Sequence, residues 1–258
     1  MSTTWLPKQA VQFDGALLQE LQGDVSDTIA RDLLKAELRA AMKPSSVIHD
    51  NGCGYGAVTM AVMDSDPPDG IQIRATDVNP MFLAQLQQTL AKNLSWPVKV
   101  DNMDACNLTF DAGTFDLSLT TFVFAGLEND VAAASHILRT LRPGGTGVIA
   151  VWKEMPWHVA LENAHHKTRG QDEPMAPFLS KSWEAGWKDV KFAEKAVWLN
   201  LGADLKRWVT IAWTFLATPD KAIDSVVEEL RQLDGQRYKV ANGIHKIRMV
   251  ADVVIVEK

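Results

Sequence analysis

The sequence predicts an α/β fold with a doubly wound, mainly parallel sheet. Short apolar runs alternate five times with amphipathic helical segments between residues 45 and 152, separated by turn-forming stretches such as DSDPPDG and RPGG. Such alternation is typical of parallel sheets, whose ligands bind at the carboxyl ends of the strands. A glycine-rich stretch, GCGYGA, directly follows the first apolar run and therefore belongs at that edge.

The elements follow one another in a regular order up to residue 152. We predict strands in SSVIHD, IQIRATD, VKVDNMD, FDLSLTTFVF and TGVIAVW. A helix over 24–42 precedes the first strand, and helices are predicted in YGAVTMAVM, NPMFLAQLQQTLAKN and ENDVAAASHILRTL. Beyond residue 152 we predict strands in KDVKFAEKAVWLNL and MVADVVIVEK, and helices in DLKRWVTIAWTFLA and DKAIDSVVEELRQL.

Composition excludes several classes of function. The chain has 258 residues, 47% of them hydrophobic, and fits a single domain. Its net charge of −6 argues against a nucleic-acid partner. No apolar run is long enough to cross a membrane, and the N-terminus has no signal-peptide pattern. With only two cysteines, Cys53 and Cys106, we expect a cytoplasmic protein without disulfides.

The glycine stretch satisfies the G-x-G-x-x-G/A pattern of dinucleotide-binding loops, but other residues disfavour a pyrophosphate. Asp50, two residues before Gly52, would place a carboxylate where a pyrophosphate needs bare amides. A Tyr-x-x-x-Lys pair, common in single-domain dehydrogenases, is absent from the sequence. An oxidoreductase using NAD(P) therefore remains as the less favoured alternative.

Two further carboxylates end the next two predicted strands. Asp77 follows the second strand and is placed to accept hydrogen bonds from ribose hydroxyls. Asp104 follows the third strand and could accept from an adenine amino group, although Asp101 competes for that place. A ligand with adenine, a free ribose, no phosphate and a positive centre is S-adenosylmethionine.

The stretches VIHDNGCGYGA, ATDVNP, NMDAC, FDLSLTTFVF and LRPGGTGVIAVW resemble the successive motifs of class I S-adenosylmethionine-dependent methyltransferases. That resemblance implies a seven-stranded Rossmann-like sheet with the last strand antiparallel. It also implies methyl transfer from S-adenosylmethionine to an O, S or N atom. The cofactor-binding residues that it implies, with Asp50 added for its carboxylate, are Asp50, Gly52, Cys53, Gly54, Asp77, Val78, Met81, Asp104, Ala105, Thr121 and Phe122.

A narrower resemblance concerns the acceptor. DNGCGYGAV together with VWKEMPW is similar to small fungal methyltransferases of secondary metabolism, which include gliotoxin thiol methyltransferase-like enzymes. This resemblance implies a small, apolar or aromatic natural product as substrate. A methyltransferase fold that binds the cofactor without methylating, as a regulatory or cyclase-like protein, is the main alternative.

The remaining candidates lie outside these motifs. Seven of the nine tryptophans follow residue 150, and flat side chains make good walls for an aromatic acceptor. The substrate-binding candidates are Phe13, Trp152, Trp157 and Trp183. His158 is the candidate general base, against the alternative that His158 and His165 are ordinary surface histidines on one helix face. No metal site is predicted, because no third ligand has suitable spacing.

The predicted organisation is one domain over 1–258. Residues 1–44 would form a helical lid segment, and residues 153–186 an insert on the acceptor side after the fifth strand. The oligomeric state cannot be read from the sequence.

Overall fold

The computed structural model of the chain describes residues 15–169, 190–215 and 222–258. Phe13 and Trp183, two of the predicted substrate-binding residues, lie outside these ranges. The described residues fall into two compact units, which are treated one at a time. The glycine-loop unit comprises 26–152, 190–195 and 251–258, and the helical unit comprises 15–25, 153–169, 196–215 and 222–250. The single-domain organisation stays a prediction.

A mixed sheet of mostly parallel strands confirms the predicted fold class. Its order is β3-β2-β1-β4-β5-β8-β6, with β7 paired to β8 and the last strands antiparallel. The strands are β1 (Val47–Asn51), β2 (Gln72–Asp77), β3 (Val98–Asn102), β4 (Phe115–Thr121), β5 (Leu141–Glu154), β6 (Val190–Gly202), β7 (Tyr238–Ala241) and β8 (Ile244–Glu257). The RPGG stretch, expected to be a turn, lies within β5.

The predicted count of seven strands was wrong by one, because β7 was missed. Residues Asn242 and Gly243 join β7 to β8, and both have left-handed backbones with φ of 52° and 75°. Two such residues in succession suit the tight turns of hairpins, and Asn-Gly is the commonest sequence for them. The dipeptide was therefore the signal that could have revealed this hairpin.

The helices agree with prediction except at the N-terminal side and at α6, which was not among the predicted helices. They are α1 (Gly15–Gln22), α2 (Val25–Leu33), α3 (Ala57–Asp64), α4 (Pro80–Ala91), α5 (Asp130–Thr140), α6 (Pro156–Arg169), α7 (Leu205–Phe215) and α8 (Ile223–Gln232). The helix expected over 24–42 is α2, which continues as a wider π-helical turn over Leu34–Leu38. Arg39 N donates to Leu34 O there, and the turn keeps both Leu34 and Leu38 buried.

The position of β1 places the glycine loop at the centre of the sheet. β1 pairs in parallel with β2 on one side and with β4 on the other, so its neighbours lead away in opposite directions. Residues 48–51 are all at most 2% exposed. In doubly wound sheets, the crevice for a ligand opens beyond the carboxyl ends of the strands at this reversal of strand order.

In the helical unit, α1 and α7 are joined by specific contacts. Arg207 donates to both carboxylate oxygens of Glu20 at 2.8 Å, and Trp208 Nε1 donates to Leu21 O at 3.3 Å. Trp157 on α6 packs edge to face against Trp208, with ring centroids 5.7 Å apart. The unit thus has an aromatic core of its own.

Candidate functional site

The glycine loop needs its glycines for close packing as well as for conformation. Gly52 has a φ of 70°, and a Cβ there would lie 2.2 Å from Val123 Cγ2. A Cβ at Gly56 would lie 2.5 Å from Leu86 Cδ1 on α4. A Cβ at Gly54 would meet no atom within 4 Å, so the backbone at this residue faces open space. The loop is therefore tightly packed at Gly52 and Gly56 and has open space beside Gly54.

Most backbone amides of this loop are already hydrogen-bonded within the protein. Gly52 N and Cys53 N both donate to Thr76 O, at 2.8 and 2.9 Å. Gly54 N donates to Asp77 Oδ2 at 2.9 Å, and Gly56 N donates to Cys53 O at 2.8 Å. A pyrophosphate loop binds its ligand through free amides. In this conformation the loop instead binds the end of β2.

Asp77 is the carboxylate against which the loop rests. It is half-buried, and its Oδ1 accepts from Asn79 N at 2.8 Å while Oδ2 accepts from Gly54 N. Asn79 in turn caps α4 by accepting from Met81 N, and Pro80 is the first helical residue. Because each carboxylate oxygen has two lone pairs, Asp77 retains the capacity to accept further donors from solvent or a ligand.

Two exposed apolar side chains stand beside Asp77. Val78 is 61% exposed, and Met81 is 54% exposed. At the end of β3, Asp104 Oδ1 accepts from Cys106 N at 2.8 Å and begins a short 3₁₀ turn. Ala105 in that turn is buried in the core. Asp77 thus ends β2, and Asp104 follows the end of the neighbouring strand β3. Val78 follows β2, and Met81 lies in the first turn of α4.

Asp50 lies under the loop. It is 2% exposed, and its Oδ2 accepts from Thr59 N at 3.0 Å and from Thr59 Oγ1 at 2.6 Å. Burial raises the pKa of Asp50 from 3.8 to about 6, against the lowering effect of the Thr59 hydrogen bonds. Asp50 therefore positions the first turn of α3, and its contact with a cofactor stays a prediction.

Cys53 contributes its backbone to the loop and its side chain to the core. The side chain is 5% exposed and packs with Ala75, Leu83 and Leu86. Burial raises the pKa of the thiol far above its usual value, so Sγ remains protonated and unreactive. Any contact of Cys53 with a ligand would come from its main chain.

At the ends of β4 and β5, two predicted residues touch. Thr121 is the last residue of β4, and Phe122 follows with a left-handed φ of 61°. The Phe122 ring stacks on Trp152 with centroids 4.0 Å apart and planes 9° apart. Both side chains are half-buried. A bulky residue held in this backbone region is typical of a functional site, where the surrounding structure imposes the strain.

One functional feature escaped the sequence analysis. His49, at the centre of β1, is fully buried and stacks on Phe115, and its Nε2 lies 2.9 Å from Thr76 Oγ1. Its Nδ1 lies 3.4 Å from Ser118 Oγ. Burial lowers the pKa of His49 to about 3, with a further lowering by Arg74, so the ring is neutral. Because Thr76 also holds the loop amides, His49 supports the loop from behind.

The helical unit holds the other predicted residues in buried positions. On α6, Trp157, His158 and His165 are 5%, 8% and 3% exposed, so the alternative of surface histidines was wrong. Burial lowers the pKa of His158, an effect that Glu162 opposes. The roles of Trp157 in substrate binding and of His158 as a base stay predictions. Across the described ranges, no three potential metal ligands cluster together, and no helix is long and apolar enough to span a membrane.

Comparison with known proteins finds a matching family model and several relatives. Residues 49–149 match the protein family described as Methyltransferase domain. The carboxy-S-adenosyl-L-methionine synthase of Vibrio campbellii is 24% identical over 178 residues, 62% of this chain and 73% of that protein. The synthase of Photobacterium profundum is 30% identical over 129 residues, 48% of this chain and 52% of that protein. For several of these relatives, the matched region covers about half of their own length.

Solved structures share the fold. The BH2331 protein of Bacillus halodurans C-125 superposes with a TM-score of 0.57 at 14% identity, covering 88% of this chain and 98% of that one. A phosphoethanolamine N-methyltransferase of Haemonchus contortus, in complex with S-adenosylhomocysteine, gives 0.53 at 18% identity, covering 94% and 59%. At such identities the likeness concerns the fold.

Proposed function

We propose that this chain is an S-adenosylmethionine-dependent methyltransferase that acts on a small, apolar or aromatic acceptor. The observation that carries the proposal is the state of the glycine loop. Its amides are bonded to Thr76 and to the Asp77 carboxylate, which favours a nucleoside with free hydroxyls over a pyrophosphate. The match of residues 49–149 to a methyltransferase domain supports the same conclusion.

The residues present fit this cofactor. Asp77 would accept from the ribose hydroxyls, and the exposed Val78 and Met81 would pack on the adenine. The open space at Gly54 lets a ligand approach the backbone. The further contacts proposed come from Asp50, Gly52, Cys53, Asp104, Ala105, Thr121 and Phe122. When bound, S-adenosylmethionine supplies a methyl group that its sulfonium already activates.

The chain's own contribution would be orientation and exclusion of water. Holding an acceptor atom in line with the methyl group can lower a barrier by about 7–11 kcal/mol. The stacked pair of Phe122 and Trp152 offers a flat apolar wall for the acceptor. We propose Trp157, Trp183 and Phe13 as further acceptor contacts, and a natural product of secondary metabolism as the substrate.

A second candidate function comes from the curated relatives. The relatives described above are carboxy-S-adenosyl-L-methionine synthases, which make a modified form of the cofactor. In that case the protein would use S-adenosylmethionine and methylate nothing. Mass spectrometry of the nucleosides after turnover separates the two functions. Methyl transfer yields S-adenosylhomocysteine. Carboxylation requires a carboxyl donor in the assay and yields a nucleoside heavier than S-adenosylmethionine by the mass of CO₂, because a carboxyl group replaces one hydrogen.

The proposal is tested by supplying S-adenosylmethionine with aromatic thiols, phenols and amines and measuring the release of S-adenosylhomocysteine. We expect Trp152→Ala to raise KM for the acceptor about tenfold or more through loss of stacking area. Trp96→Ala, at a half-buried tryptophan of the same unit, is the matched control and should leave KM within about twofold. Equal effects of the two variants would contradict the assigned acceptor wall.

A separate assay addresses the proposed base. His158→Gln should lower kcat with a phenol, about 100-fold or more, because a phenol with a pKa near 10 gains from proton removal. With an aromatic thiol, which ionises more easily, kcat should fall much less. Equal losses with the two acceptors would indicate a packing role for His158.

A further inference from the structure

The hairpin of β7 and β8 carries a concentration of positive charge in an acidic protein. The register places Lys239 directly opposite Lys246. Arg248, two residues beyond Lys246, therefore lies on the same face, because side chains alternate along a strand. We call Lys239, Lys246 and Arg248 the cationic hairpin face. Arg248 N also donates to Arg237 O at 2.8 Å, which adds a fourth basic residue at its end.

The opposite face of the hairpin carries the residues that pack into the core. Ile247 is fully buried, Met249 is 3% exposed, and Tyr238 Oη is hydrogen-bonded to His245 Nδ1. The hydrophobic requirement of the hairpin is thus met by the residues that alternate with the cations. The identity of the cations must have another explanation.

The charges of this face are not neutralised within the described chain. None of Lys239, Lys246 and Arg248 has a described carboxylate within 4.0 Å. Lys239 Nζ instead lies 3.7 Å from the centre of the Trp198 ring. The nearby Asp234 carboxylate accepts from the backbone amides of Gln236 and Arg237.

Like charges directly opposite each other destabilise a strand pair, by up to about 1 kcal/mol. A lysine on an edge strand often prevents unwanted pairing with other chains, and this explains Lys239 alone. Lys246 and Arg248 belong to β8, and the chain as a whole carries 32 acidic residues that could have served as partners. The repulsion is thus a cost that an anionic partner would relieve.

We propose that the cationic hairpin face binds an acidic segment of a partner protein in extended conformation. Alternate residues of an extended strand are about 6.6–6.8 Å apart, so carboxylates at every second position match the spacing of Lys246 and Arg248.

The test measures binding of a labelled peptide of alternating Glu and Thr by fluorescence anisotropy at about 50 mM salt. The double variant Lys239→Gln/Lys246→Gln should bind it about tenfold more weakly, and binding should also weaken as salt rises. The matched control is Lys43→Gln/Lys92→Gln, two exposed lysines of the glycine-loop unit with the same loss of charge. This control should bind within about twofold of the unmodified protein.

Four results would overturn the proposal. The unmodified protein could fail to bind the peptide, or the two double variants could weaken binding equally. A peptide of the same composition with its Glu residues in one block could bind as well as the alternating one. Tighter, lysine-dependent binding of single-stranded oligouridylate would assign the face to nucleic acid instead.

Stability provides an independent measurement. Because Lys246 faces Lys239, Lys246→Gln should raise the melting temperature at low salt, and the gain should shrink at high salt. Lys43→Gln, at an exposed lysine of the glycine-loop unit, should not change the melting temperature measurably. An unchanged or lower melting temperature for Lys246→Gln would contradict the uncompensated repulsion on which the proposal rests.

Discussion

The two units use residues of similar chemistry in different ways. In the glycine-loop unit, Asp77 ends a strand, is half-buried and rests against a backbone that faces open space at Gly54. In the helical unit, Trp157 and His158 lie within a helix and are almost fully buried. The position of a polar residue at the carboxyl end of a parallel strand thus leaves it accessible to the proposed cofactor, whereas residue type alone indicates packing as readily as function.

The largest effect should come from filling the space at Gly52. Gly52→Ala forces a Cβ to within 2.2 Å of Val123 in a left-handed backbone, and should lower the free energy of unfolding by about 3 kcal/mol or more. Gly54→Ala, with open space and the same backbone region, should cost about 1 kcal/mol. Urea titration measures both. Partial rescue by Gly52→Ala/Val123→Ala would locate the clash, and equal losses at Gly52 and Gly54 would refute it.

The next effect concerns the pH dependence of the free energy of unfolding, to which His49 and Asp50 make opposite contributions. His49, with its pKa lowered to about 3, stabilises the native state above pH 6.5, and this contribution is lost as pH falls toward 3. Asp50, with its pKa raised to about 6, favours the native state below pH 3.8, a contribution lost as pH rises through 6. Between about pH 6 and 4 the folded and unfolded states therefore each bind one proton on the pair, and its contribution to stability is flat.

Removing the Asp50 carboxylate should reveal the pH dependence of stability that His49 causes. In Asp50→Asn, the free energy of unfolding should fall by up to about 1.4 kcal/mol per pH unit as pH drops from 6.5, since only the unfolded chain takes up a proton. Thr59→Val, which removes one hydrogen bond to Asp50 and keeps both titrating groups, is the control. Denaturant titrations from pH 7 to 4 measure the slope, and parallel profiles for the protein and Asp50→Asn would contradict the assigned pKa values.

Asp77→Asn should weaken binding of S-adenosylmethionine about 10- to 100-fold. The amide keeps one acceptor, but its NH₂ group faces donors on Gly54 or the ribose and leaves a hydrogen bond unmade. Asp111→Asn, an exposed carboxylate of the same unit, should bind within about twofold of the unmodified protein. If Asp77→Asn binds S-adenosylmethionine with undiminished affinity, the proposed position of the cofactor at the end of β2 is wrong.

The smallest effect is expected in the helical unit. Trp157→Phe keeps an aromatic ring against Trp208 and should lower the free energy of unfolding by about 1 kcal/mol. Cofactor affinity should not change, since the proposed cofactor contacts all lie in the glycine-loop unit. A loss of affinity comparable to that of Asp77→Asn would contradict the assignment of all cofactor contacts to the glycine-loop unit.

The sequence predicts the order of strands and the residues at their ends because both depend on local patterns. Apolar alternation sets β1 to β5, and the cap at Asn79 with Pro80 fixes the start of α4. Side-chain burial depends on contacts distant in sequence, so the core position of Cys53 and the polar contacts of His49 could not be predicted. His49 bonds to Thr76 and Ser118, 27 and 69 residues away. The hairpin at Asn242 was predictable in principle, from its turn residues.

The central claim is that the glycine loop accommodates an adenosyl group without a pyrophosphate, and calorimetric titration of the unmodified protein tests it most directly. Titrated separately with S-adenosylmethionine, S-adenosylhomocysteine and NAD, the protein should bind both adenosyl ligands with Kd values in the micromolar range, about −8 kcal/mol, and give no heat with NAD. Binding of NAD without binding of either adenosyl ligand would contradict the claim and return the chain to the dinucleotide-dependent oxidoreductases.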